Sequence, residues 1–155
     1  MFWICRRCVA VGYNANAVAR LGRMEWKMKT MTAQEILTLA KAWVHLHSVK
    51  ENSPEWEEAF WAYDRLDEWI HEMPEVAWDA ITEIRRLDGS DRLLSNLAAG
   101  PLEDFLVYHG EAYINLIEDA CKSDDQLRKL LGATWQNEMP DSLWSRIRAL
   151  ALPVW

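Results

Sequence analysis

No apolar run in the 155-residue sequence approaches the roughly 18 residues that a membrane-spanning helix needs. No stretch alternates polar and apolar over a strand's length, and Asp88-Gly89 leads into helix-capping residues rather than a β-branched run. Three cysteines give no even disulfide framework, which points to a reducing cytoplasm. Cys5 and Cys8 form a lone C-x-x-C, whereas a structural zinc site takes four ligands, usually from two such pairs. G-x-S-x-G, a phosphate-cradling glycine loop, H-E-x-x-H and the dinucleotide fingerprint are all missing. The sequence therefore designates no catalytic residue, no metal ligand and no cofactor.

What is present is oily and acidic. Half the residues are hydrophobic, enough for a real core in a chain whose length fits one domain of about 100–200 residues. Ten tryptophans bring large apolar area, and each carries an indole N–H that needs a partner when buried. The net charge of −7 conceals an asymmetry. Residues 1–30 carry Arg6, Arg7, Arg20, Arg23, Lys27 and Lys29 against Glu25, a balance of +5, so the remainder holds 11 basic and 23 acidic side chains, a balance of −12. A surface this acidic repels nucleic-acid phosphates. It suits a basic protein partner, or simply solubility.

Residues 1–30 show no sustained helical period, and Arg6 and Arg7 interrupt any signal-peptide core. The expectation is an N-terminal extension, disordered or an over-extended start, with the natural protein beginning near Met24, Met28 or Met31. Residues 31–152 are expected to form a single all-helical domain.

Within that region helix signals follow one another. Thr32-Ala-Gln-Glu35 is a capping box, and Ile36, Leu39, Ala40, Trp43, Val44 and His47 recur behind it at helical spacing. Ser53-Pro54 opens a second helix with Trp56, Phe60, Tyr63 and Ile70 on its apolar stripe, closed at Met73-Pro74. A third runs from Pro74 toward Gly89, and a short fourth from Ser90 or Asp91 to Gly100. Pro101 is expected to start a fifth helix ending near Gly110, and Glu111 a sixth ending at Cys121. Asp124 or Asp125 caps a seventh, and Asp141 or Ser142 the last. The predicted fold is all-α: six to eight short antiparallel helices, as a bundle or as a short α-α superhelix of HEAT-like stacked hairpins.

The runs PEVAWDAI (Pro74–Ile81), LAAGPLEDFLVYHGEAYINLIE (Leu97–Glu118) and LRKLLGATW (Leu127–Trp135) resemble a family of small bacterial helical proteins known only as a domain of unknown function. The AAGPLED…HG core, Ala98–Asp104 and His109–Gly110, is its most specific piece, and the similarity covers about residues 32–146. The resemblance implies a helical domain and no activity.

The most suggestive polar cluster is Glu103, Asp104, His109 and Glu111, around the expected breaks at Gly100-Pro101 and Gly110. Acids in a first helical turn and a histidine in a last one are favoured by the helix dipole alone. Five residues apart, Asp104 and His109 lie about 140° apart around a helix and do not converge. Glu68 and His71 form an E-x-x-H, but a di-iron bundle needs a second such motif and two further carboxylates. His45 and His47 point to different faces. Trp43, Trp56, Trp78, Trp135 and Trp144 are expected in the core or a groove, while Trp61 and Trp69 lie partly off their stripe. Off-stripe tryptophans beside glutamates can anchor a partner, or reflect a helix buried on two sides.

Two functions fit. One is a non-catalytic protein-interaction domain for a basic protein, in its sharpest form an immunity-type, partner-neutralising protein, with Trp61, Trp69, Glu103, Asp104, His109 and Trp135 as binding residues. The other is a small-molecule binder or enzyme with a pocket near Asp104, His109 and Trp135.

Overall fold

The computed structural model describes residues 31–153. The expectations for residues 1–30, Cys5 and Cys8 included, lie outside the described residues. Among those described, the structure has no strand. It consists of α1 (Ala33–Ser48), α2 (Pro54–Ala59), α3 (Trp61–Glu72), α4 (Pro74–Leu87), α5 (Asp91–Leu97), α6 (Glu103–Cys121), α7 (Asp125–Gly132) and α8 (Asp141–Leu150), with a π-helical turn, Ala98–Leu102, joining α5 to α6.

Four of the eight starts, those of α1, α2, α5 and α7, follow from capping chemistry; α8 instead begins behind Pro140 with no side-chain cap, so neither Asp141 nor Ser142 caps it as expected. The Thr32 hydroxyl accepts from Glu35 N–H at 3.2 Å while the Glu35 carboxylate accepts from Thr32 N–H at 2.8 Å, satisfying two donors that the helix start leaves orphaned. Ser53, Ser90 and Asp124 accept in the same way from Trp56, Leu93 and Leu127.

Three expected boundaries are corrected. The helix from Pro54 to Glu72 is divided at Phe60, where the N–H of Phe60 bonds Glu57 O and that of Tyr63 bonds Phe60 O, a three-residue tightening. The expected fifth and sixth helices are one: Gly110 lies inside the 19-residue α6. A glycine ends a helix by taking positive φ, and no described glycine does. Gly110 instead permits a close approach, since a Cβ there would come within 2.6 Å of Leu143 Cδ2 on α8. Nor does Pro101 begin a helix. Lacking an N–H, it leaves the four-residue ladder incomplete, and the chain widens into the π-turn, with Glu103 N–H reaching back to Ala98 O.

Contacts run α1 on α4, α3 on α4 and α6, α6 on α8, and α7 on α8. α4 thus packs against α1, α3 and α6, and α6 in turn against α3, α4, α7 and α8. Leu39, Trp43, Leu66, Ile70, Ile81, Ile84, Phe105, Leu106, Ile117 and Ile147 meet in one buried cluster. Burying a side chain of this size contributes roughly 1.5–3 kcal/mol each. Arg85 is buried with them and makes a forked pair with Asp124, Nη1–Oδ1 2.8 Å and Nη2–Oδ2 2.7 Å. Burial pushes the Asp124 carboxyl up, but the Leu127 N–H and the Arg85 guanidinium outweigh it and hold the group below its ordinary value. Among the described residues no helix is long and apolar enough to cross a membrane.

Candidate functional site

Two surface regions leave charge or aromatic area unspent. The first lies where α3 meets α6. Tyr63, Asp67, Ile70, Pro101 and Asp104 border a gap of about 10 Å³, room for about one water. Burial raises the Asp104 carboxyl above its ordinary range, and the negative charges of Asp67 and then Glu103 add to it, with His71 opposing. The Tyr63 hydroxyl is raised by burial and by the same Asp67 and Asp104. Tyr108, 58% exposed, packs against His71 with ring centroids 4.6 Å apart and planes tilted by 55°. Trp61 and Tyr63 stand half-exposed on α3. No Lys or Arg pairs with Asp67 or Asp104 among the described residues.

Trp69, by contrast, is 2% exposed, so it belongs to the core rather than to a partner-binding patch, and its Nε1 has no hydrogen-bond partner among the described residues. It shares one buried stripe of α3 with Ala62, Leu66 and Ile70, at i, i+4, i+7 and i+8. His109 is not at a helix end. Its Nε2–H donates to the Ile70 carbonyl at 2.6 Å. That carbonyl would ordinarily accept from the residue four positions on, which is Pro74 and has no N–H. His109 thus supplies from α6 the donor that proline withholds. Glu68 pairs with Arg65, and His71 Nδ1 donates to Asp67 O, so the E-x-x-H is a surface ion-pair face. Among the described residues no cluster of His, Cys, Asp and Glu could hold a metal.

The second region is a groove of two clefts that share Ser95. The first, of about 570 Å³, has Trp56, Phe60 and Tyr63 on one wall and Arg92, Ser95 and Asn96 on the other. Those three sit at i, i+3 and i+4 on α5, hence on one face. His47 closes the inner end, its ring 4.0 Å from Trp43 and its Nε2 buried without a partner among the described residues. Burial first, and Arg92 second, hold His47 below its ordinary value and so neutral. The second cleft, of about 470 Å³, has a floor of Ser95, Ala99, Gly132 and Ala133 between Trp135 and Trp144. The Arg148 guanidinium lies 5.5 Å from the Trp144 ring centre.

Glu103 builds the wall of that second cleft. One carboxylate oxygen accepts from Trp135 N–H at 3.2 Å and the other from Asn137 Nδ2 at 2.9 Å, tying the segment after α7 to the start of α6. The role is a tie between segments, not a charge at a free helix start, because the π-turn already occupies the Glu103 N–H. The Trp135 side chain then projects outward, 73% exposed, in a groove and not in the core. Asp104, His109 and Trp135 therefore share no cavity: one borders the α3–α6 gap, one bonds a carbonyl, one walls the second cleft.

The groove residues Arg92, Ser95, Asn96 and Arg148 were not among the sequence candidates. The signal was faint but present for Arg148: no acid lies three or four residues from it, and Trp144 stands at i−4.

Residues 49–153 match a family described only as of unknown function, DUF6869. The match begins after α1, although α1 packs against α4. No curated protein and no solved structure matches the chain.

Proposed function

We propose that this chain, which belongs to the DUF6869 family of unknown function, is a non-catalytic domain that binds a basic protein through the acidic, aromatic-bearing face of α3 and α6. The observation that carries the reading is the crowding of Asp67 and Asp104 around one gap with Tyr63, with burial and like charge raising the Asp104 carboxyl. A lysine or arginine docking there relieves that repulsion, and exposed Tyr63 and Tyr108 offer apolar flanks and π-faces for its stem and charge. The balance of −12 over residues 31–155 adds long-range attraction for a cationic partner. An immunity-type role, neutralising a basic toxin by occupying its surface, is the sharpest form.

The test is capture from the native host with the full chain as bait at low and high salt, beside an Asp67→Lys/Asp104→Lys bait. A basic protein retained at low salt, released at high salt and lost with the double variant supports the reading. Nothing captured at low salt, or a capture indifferent to both substitutions, defeats it.

A further inference from the structure

Ion pairing on this surface is nearly complete for arginine. Arg65, Arg85, Arg86, Arg128 and Arg146 each pair with a carboxylate. Arg92 and Arg148 pair with none among the described residues, and each lines one cleft of the groove. Lys41, Lys50 and Lys129 also make no ion pair among the described residues, but they border neither cleft. In a region with twice as many acids as bases, two guanidiniums left free in adjoining aromatic clefts are available to anions from outside.

We propose that the groove is a docking site for an extended acidic peptide segment of a partner protein, with one carboxylate on Arg92, another on Arg148, and apolar side chains against Trp56, Phe60 and Trp135. The site adjoins the α3–α6 face at Tyr63, which borders both, and does not rest on the basic-partner reading.

Three features select this occupant. A compact ligand fills one cleft and leaves the other guanidinium unpaired, whereas an extended chain crosses Ser95 and reaches both. Asn96 makes no hydrogen bond among the described residues and is exposed, so its amide can both donate to and accept from a peptide backbone. Trp144 holds the Arg148 guanidinium over its ring, which pre-sets the cation for a carboxylate. A single-stranded nucleic acid also likes aromatic platforms and arginine, but it brings a phosphate with every nucleotide. Two free arginines do not offset that charge on so acidic a protein. Glu51, at the rim of the first cleft, favours spacing the peptide's acids apart rather than in an unbroken run.

The experiment pans the full chain against a displayed library of random peptides of about ten residues, about 33 Å when extended. The expected enrichment is a sequence with separated Asp or Glu beside aromatic or aliphatic residues. Its fluorescein-labelled synthetic form should bind the Arg92→Gln/Arg148→Gln variant about tenfold more weakly or worse, by anisotropy. Asp67→Lys/Asp104→Lys should leave that affinity unchanged. Both arginines are exposed, so circular dichroism of the double variant should match the parent. An enriched sequence without acids, no enrichment, an affinity indifferent to the arginine substitutions, or tighter binding of labelled oligo-dT of similar length overturns the proposal.

Discussion

The α3–α6 face and the groove are opposites made in the same way. Four surface ion pairs of this chain are matched three residues along a helix: Arg65 with Glu68, Arg86 with Glu83, Lys122 with Asp119 and Arg128 with Asp125. On the face, Asp67 and Asp104 come together from two helices with no lysine or arginine between them. In the groove, Arg92 and Arg148 stand beside tryptophan and tyrosine with no carboxylate in contact. The contrast teaches that unspent charge, rather than total charge, is what sets these two regions apart, and both proposals rest on it. A net count of −7 points only to basic partners; the distribution points to one surface of each sign.

Substitutions can break or sharpen that contrast. The largest expected effect belongs to a spent charge: Arg85→Ala strands Asp124 and should cost about 3 kcal/mol in urea unfolding. Arg92→Ala and Arg148→Ala should stay within about 0.5 kcal/mol, and a larger loss would mean that those arginines are structural after all. Next comes His109→Leu, which leaves the Ile70 carbonyl without its donor and should cost about 1–2 kcal/mol with no change in binding at the groove.

Two smaller effects depend on pH. His47 is held below its ordinary value, so as pH falls below about 6.5 the unfolded chain takes up a proton that the folded chain resists, and stability drops toward acid. His47→Gln should flatten that slope between about pH 7 and 5 in thermal melts. The smallest effect is Asp104→Asn. Its folded carboxyl is raised, so the charged form costs stability above its folded pKa, and the cost is absent below the ordinary carboxylate range. The variant should melt slightly higher at neutral pH and lose that advantage in acid, while binding a basic partner more weakly.

Helix starts were legible in the sequence because capping is local: Thr32, Ser53, Ser90 and Asp124 do what their side chains do in any short peptide. Stops at Gly100-Pro101 and Gly110 were misread because a breaker's effect depends on what surrounds it. Leu143 crossing α6 makes use of the missing Cβ at Gly110, and a π-turn absorbs Pro101. The all-α class survived both errors, since neither introduces a strand. Of the candidate residues, Trp61 and Trp135 are exposed and Asp104 borders the α3–α6 gap. Trp69, Glu103 and His109 turned out to serve packing, a loop tie and an orphan carbonyl. Those duties link residues tens of positions apart and leave no trace in spacing. Arg92 was hidden by Asp88 at i−4, a natural helical partner on paper. The helix is interrupted there, and Asp88 instead accepts from Ser90 N–H at 2.8 Å.

The widened turn at Ala98–Leu102 also forecasts which edits in length this chain will bear. It holds one more residue than a regular coil of the same rise, and the proline within it is the one that cannot donate. Excising Pro101 should let α5 and α6 fuse into an uninterrupted rod with both faces still in phase. Removing any single residue from the middle of α6 should instead swing everything beyond the cut by about 100° and scatter the core.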